Sequence, residues 1–178
     1  DVEGTLIFSR GEKKLLGIRY QSDKPIVRWV DESVGKIQSA LDATFGKTVN
    51  EIRLPADSRD RALVFAASDR DPGTYYLFDR VRNGVEELVK TRDWLDPKLM
   101  AERRFVLYKA RDGREVPAWL TVPAGGGKNL PLIVHVHGGP NVRGYNMMSG
   151  WGRWPDAQFF ASRGYAVFQP NFRGSTGF

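Results

Sequence analysis

His137-Gly138-Gly139-Pro140 follows directly on the apolar run Leu132-Ile133-Val134-His135-Val136. Two consecutive glycines let a backbone turn sharply and bring its N–H groups close to a bound group. N–H donors held that way stabilise the oxyanion that develops in acyl transfer, and one such donor is typically worth about 100- to 1,000-fold in rate. The same four residues also suit a tight turn that ends a strand, and spacing alone does not choose between the two readings. A second stretch, Gly174-Ser175-Thr176-Gly177, has the look of a nucleophile elbow. The elbow needs Gly-x-Ser-x-Gly, and Arg173 stands two before Ser175, so Ser175 reads as a turn residue rather than a nucleophile.

Other patterns fail on inspection. Gly125-Gly126-Gly127-Lys128 imitates a phosphate loop, but Val122 and Pro123 occupy the place of the required glycine and Asn129 replaces Ser/Thr. His135 and His137, two apart on a strand, would share a face, yet zinc needs at least a third ligand. The sequence has 2 histidines and no cysteine, so no metal site and no cofactor are expected. No spacing among the acidic residues singles out a general acid–base pair.

The elements that must hold these residues change character along the chain. The first half shows short alternating runs: Thr5 to Phe8, Leu15 to Tyr20, Ile26 to Trp29, Glu51 to Leu54, Ala62 to Ala66, Thr74 to Phe78 and Val85 to Val89. Turn signals at Ser9-Arg10-Gly11, at 69–73 and at Arg82-Asn83-Gly84 separate them. The exception is Lys36 to Phe45, where Ile37, Leu41 and Phe45 recur on one helical face. Strands this short and regular suit a sandwich or propeller blades, here about two blades' worth and not a closed ring. Unclosed sheet edges predict self-association.

Near residues 93–104 the texture shifts. Asp96 is a candidate N-cap with Pro97 at the first helical position, leading at most a short helix. Phe105 to Tyr108 and Val116 to Val122 form a hairpin about Arg111-Asp112-Gly113-Arg114. Leu132 to Val136 reads as a strand covered on both faces, Asp156 to Arg163 as a helix closed by Gly164, and Tyr165 to Gln169 as another covered strand. Strand, helix, strand is α/β grammar. The chain therefore joins an all-β half to the opening of an α/β half, with the seam near residue 100.

Composition excludes more than it assigns. Of the 178 residues 41% are hydrophobic and 12% aromatic, enough for a core and against disorder. No apolar run approaches the roughly 18 residues of a membrane span. The 27 basic residues outnumber the 21 acidic ones, but Lys13-Lys14 and Arg103-Arg104 are the only adjacent pairs, which argues against a nucleic-acid groove. The chain opens on Asp1, so its true N-terminus is expected to be missing. The compartment stays open, with the cytoplasm favoured.

Three motifs in order resemble the prolyl oligopeptidase family of serine peptidases, nearest its acylaminoacyl-peptidase and dipeptidyl-peptidase-like branch. They are His137-Gly138-Gly139-Pro140, Phe160-Ala161-Ser162-Arg163-Gly164-Tyr165-Ala166-Val167, and Asn171-Phe172-Arg173-Gly174-Ser175-Thr176-Gly177-Phe178. Tyr108 to Gly113 with Val116 to Leu120, and Asp93 to Pro97, are similar to that family's passage from propeller to hydrolase. The resemblance implies the fold class: β-propeller blades (all-β) over residues 1–99, followed by the first part of an α/β-hydrolase domain over 100–178. It also implies that the propeller caps the hydrolase domain, with Ser-Asp-His catalysis between them and peptide substrates. It assigns the N–H of Gly139 to the oxyanion hole, with His137, Gly138 and Pro140 completing that loop. Arg173, Gly174 and Ser175 would shape the loop beside the site.

In that family's order the elbow serine, the aspartate and the histidine all come later than residue 178. The expectation is a segment that lacks the triad and is inactive by itself. Two rivals stand beside the peptidase reading: an α/β-hydrolase acting on esters, and a propeller-based binding protein with a degenerate hydrolase half.

Overall fold

The computed structural model describes residues 4–9, 11–55, 60–139, 141–143 and 154–177. Arg10, Pro140 and Phe178 lie outside them. The chain divides into two compact units, one formed by Val2–Ser68 with Pro72–Leu95, the other by Asp69–Asp71 with Asp96–Phe178.

The first unit holds two antiparallel sheets. Strands β1 (Gly4–Phe8), β2 (Leu15–Gln21) and β3 (Pro25–Trp29) pair in sequence order. Strands β4 (Val49–Arg53), β5 (Arg61–Ala67), β6 (Thr74–Asp79) and β7 (Gly84–Lys90) make a four-stranded meander, also in sequence order. Sequential antiparallel order with short turns is what the alternating runs and their punctuation predict. Asn83 takes a positive φ of 47° at the turn between β6 and β7, a conformation asparagine tolerates better than most residues.

Helix α1 (Glu32–Phe45) begins earlier than its apolar spacing indicates. Asp31 is its N-cap: the carboxylate accepts from the Ser33 and Val34 backbone N–H groups at 3.1 and 3.3 Å. Ile37 and Leu41 bury against Ile52, Ala62, Val64 and Phe78, with Trp29, Phe45, Leu54 and Tyr76 around them. That cluster is the core of the unit. Strand β7 is exposed along its whole length, as an edge strand with polar Glu86 and Glu87 can be.

The second unit is a mixed sheet. Strands β8 (Arg103–Lys109) and β9 (Glu115–Thr121) form a hairpin, and β10 (Leu132–Val134), helix α2 (Trp154–Ala161) and β11 (Ala166–Pro170) form a strand–helix–strand passage. The order is β10-β11-β9-β8, with β10 parallel to β11 and β11 antiparallel to β9. Before it, Asp96 caps a single 3-10 turn, Pro97–Leu99, its side chain accepting from Lys98 N–H at 2.9 Å. Helix α2 ends in a Schellman motif: Tyr165 N–H bonds to Phe160 O and Gly164 N–H to Ala161 O, with Gly164 at φ 87°.

One expectation is corrected. Leu132 to Val136 does not form a strand covered on both faces. It pairs with β11 on one side only, and Leu132, Val134 and Val136 are 56%, 58% and 55% exposed. Its partner β11 is covered as expected, with Ala166 and Val167 buried.

Arg103, at the start of β8, is buried with its guanidinium 5.2 Å from the centre of the Trp119 ring. Burial pulls its pKa down to about 10 while the Asp69 carboxylate pushes it back up. It keeps its charge at neutral pH. Gln158 on α2 serves the backbone of Ala101 directly: its Oε1 accepts from Ala101 N–H at 2.8 Å, and its Nε2 donates to Ala101 O at 2.8 Å and to Asp69 O at 3.1 Å. No helix among the described residues is long and apolar enough to cross a membrane.

Candidate functional site

Two loops leave the same end of the parallel pair β10 and β11, the carboxyl end, where open α/β sheets bind their ligands. His135 N–H donates to Phe168 O at 2.8 Å, continuing the β10–β11 register one residue past the strand. The chain then enters His137-Gly138-Gly139. On the other side β11 ends at Pro170, and Asn171 N–H donates to Pro117 O of β9 at 2.8 Å, carrying the antiparallel pairing one step further. A turn follows, closed by Ser175 N–H to Phe172 O at 2.9 Å, with Gly174 at φ 93°.

These two loops meet at His137. Its Nε2 lies 3.0 Å from Ser175 Oγ and its Nδ1 3.0 Å from the carbonyl oxygen of Gly138. A carbonyl only accepts, so Nδ1 is the donor to Gly138 O; in the tautomer with its one proton there, Nε2 accepts the hydrogen bond of the Ser175 hydroxyl. The ring is stacked on Phe172 with centroids 4.4 Å apart and planes 19° off parallel. His137 and Ser175 are both buried, as is Asn171.

Gly139 has φ 122°, a conformation an L side chain rarely adopts, and a Cβ there would stand 2.5 Å from Val142 Cγ2. Both facts require glycine at this position. Thr176 Oγ1 donates to Asn141 O, a second tie between the two loops. Arg173 is turned elsewhere: its guanidinium pairs with Asp112 in the β8–β9 turn. The Arg114 backbone N–H and then the Arg173 guanidinium hold the Asp112 carboxyl below the usual carboxylate range.

Of the residues singled out by sequence, the structure brings His137, Gly138, Gly139 and Ser175 together, with Gly174 in the turn that presents Ser175. Pro140 lies outside the described residues. His135 makes separate contacts, with its Nδ1 3.3 Å from Gln169 Nε2 and its Nε2 3.8 Å from Asp156 Oδ2. Among the described residues no three His, Asp or Glu side chains gather as metal ligands would. Sequence reasoning did not pick out Phe172, Val142 or Asn141 as parts of this site. The asparagine-to-glycine motif was the available signal, since it places an aromatic three residues before the serine.

Residues 77–178, more than half of the chain, match the family model of acetyl xylan esterase (AXE1). Dipeptidyl aminopeptidase BIII of Pseudoxanthomonas mexicana is 30% identical across 100% of this chain and 26% of its own length. The chain belongs to the acetyl xylan esterase (AXE1) family, and its relatives and structural neighbours support a fragment of the prolyl oligopeptidase type. The chain spans about a quarter of the length of the curated relatives it matches. Solved structures agree on the fold. A puromycin-hydrolyzing peptidase of Mycobacterium tuberculosis aligns with TM-score 0.61 at 20% identity, over 98% of this chain and 26% of that one. The acylaminoacyl peptidase of Pyrococcus horikoshii aligns with TM-score 0.52 at 22% identity, over 92% and 23%. The fold class is that of propeller blades followed by the opening strands of an α/β-hydrolase sheet.

Proposed function

We propose that the whole protein is a serine peptidase that hydrolyses short peptides through a Ser-Asp-His triad lying beyond residue 178, with the Gly139 N–H in its oxyanion hole. The observation that carries this reading is the glycine loop itself: His137 to Gly139 stands at the carboxyl end of β10, with Gly139 held at φ 122°. In the mechanism, histidine takes the proton of the serine hydroxyl, serine attacks the scissile carbonyl, and aspartate orients the imidazolium that forms. The Gly139 N–H meets the negative charge that develops on the carbonyl oxygen. Residues 1–99 would belong to the propeller that restricts entry to small substrates, and 100–178 to the hydrolase domain.

The 178-residue chain alone is inactive on this reading. Ser175 and His137 resemble a catalytic pair only in their 3.0 Å spacing. Ser175 is 3% exposed, and the His137 Nδ1 is engaged by a backbone carbonyl, with no carboxylate on it among the described residues. Peptide substrates are the partners; open sheet edges favour self-association of the chain on its own.

A second reading, hydrolysis of acetyl or other acyl esters, is favoured by the acetyl xylan esterase (AXE1) match. The oxyanion loop serves either leaving group. Kinetics of the whole protein on peptide anilides with free and acylated N-termini, beside an acetyl ester of similar size, decide between them. The peptidase reading expects the higher kcat/KM on a peptide; cleavage of the ester alone would overturn it.

A further inference from the structure

We propose that two copies of the protein join along the free edge of β8, in an antiparallel two-fold pairing centred on Leu107, so that their two sheets continue into one. The inference rests on the self-association that open sheet edges favour, given above, and assigns it a surface.

The strand order β10-β11-β9-β8 leaves β8 bonded to β9 alone. The register between them runs without a shift from Arg103 opposite Thr121 to Lys109 opposite Glu115. One step on, Ala110 N–H donates to Arg114 O at 2.8 Å. Bonded and non-bonded positions alternate along an antiparallel pair. Tyr108, Val106 and Arg104 therefore turn their backbone groups to β9, while Lys109, Leu107, Phe105 and Arg103 turn theirs to the open edge. At Arg103 that place is taken, because its N–H donates to the Asp69 carboxylate at 2.9 Å. Phe105, Leu107 and Lys109 remain, with Leu107 at their centre.

Edge strands are commonly kept apart by proline or by bulges. Strand β8 has neither. Leu107 is 56% exposed, and Phe105 and Tyr108 are each 37% exposed.

Two-fold symmetry fixes the rest. With Leu107 opposite Leu107 of the second copy, Phe105 lies opposite Lys109 and Val106 opposite Tyr108. Each Leu107 N–H donates to the other Leu107 O, and Phe105 and Lys109 exchange both their bonds. On one face the leucines meet beside Phe105 and Lys109, a cation next to an aromatic ring. On the other face Val106 meets Tyr108, a β-branched residue against an aromatic one. A pairing centred on Val106 or on Phe105 would carry Lys109 or Leu107 of the second copy onto Arg103, where Asp69 already sits. The Leu107 register leaves that bond in place, because β8 ends at Lys109 and the chain turns away.

The test uses the whole protein. Sedimentation velocity is expected to show a dimer, weakened by Leu107→Lys. That change turns an apolar pair into a like-charge pair, and the dissociation constant rises about 30-fold. Leu107→Cys locates the contact. Bonded residues directly opposite each other stand about 5.5 Å apart between Cα atoms, within the roughly 4.4–6.8 Å that a disulfide spans. Mild oxidation should therefore give a covalent dimer, with both linked peptides containing position 107 by mass mapping. This cross-link decides the matter if Leu107→Lys does not fold. Wild-type dimers that folded Leu107→Lys leaves intact, or cross-linking through Val106→Cys in place of Leu107→Cys, overturn the proposed pairing and leave self-association standing. A monomeric wild-type protein overturns both.

Discussion

Replacing Gln158 with leucine should unfold the sheet unit far more readily than the change of one side chain of similar volume suggests. The buried residue Ala101 has its N–H and its C=O both satisfied by the Gln158 amide, each at 2.8 Å. Leucine removes both partners and leaves two backbone groups without hydrogen bonds in a site closed to water. Each such group costs about 1–3 kcal/mol. The extra apolar surface of leucine returns about 1 kcal/mol, so a net loss of about 1–5 kcal/mol is expected. In amide exchange that is a roughly 5- to 4,000-fold loss of protection at Ala101. Urea denaturation followed by far-ultraviolet circular dichroism gives the global loss, and exchange at the Ala101 amide gives the local one. Gln158→Glu separates the two bonds: it keeps an acceptor for Ala101 N–H but turns a second carboxylate oxygen toward Ala101 O. It should therefore be poor at neutral pH and improve as the carboxylate is protonated. A Gln158→Leu chain within about 0.5 kcal/mol of wild type, the span of ordinary surface changes, with Ala101 protection intact, would refute the reasoning.

Two further outcomes are expected. Gly139→Ala forces a side chain into φ 122° against Val142; strain of about 1–3 kcal/mol will displace the loop, seen as shifted Val142 methyl resonances, and kcat of the whole protein should fall by about 100-fold or more. The Asp112–Arg173 tie should be pH-dependent in one direction only. Because the folded Asp112 pKa lies below its usual value, the tie is fully present above the ordinary carboxylate range and is lost as pH falls through the lower folded pKa. Carbon-13 titration of the Asp112 carboxyl checks this, and a midpoint at or above the ordinary value would contradict it.

Much of this fold was legible because its signals are local. Alternation marks the strands, Asn83-Gly84 marks a hairpin, and Asp96-Pro97 and Gly164 mark a start and a stop. The start of α1 was less legible, since Ser33 and Gly35 interrupt the apolar spacing and the capping role of Asp31 depends on its backbone conformation. Burial of β10 was misread for a different reason: an apolar run reports what a strand tolerates on each face, not what lies over it. At the site, the glycine loop was visible as a motif. The bond from His137 to Ser175 was not, because it depends on a strand–helix–strand return that brings two loops to one sheet end. Sequence spacing carries no record of that closure.

The central claim is that these residues support a nucleophile they do not contain. Fluorophosphonate labelling followed by peptide mass mapping tests it most directly, applied to the whole protein and to the 178-residue chain. The account predicts one adduct in the whole protein, on a serine after residue 178, and none on the isolated chain. An adduct on Ser175 or any other residue of the 178, or no adduct on the whole protein, would contradict it.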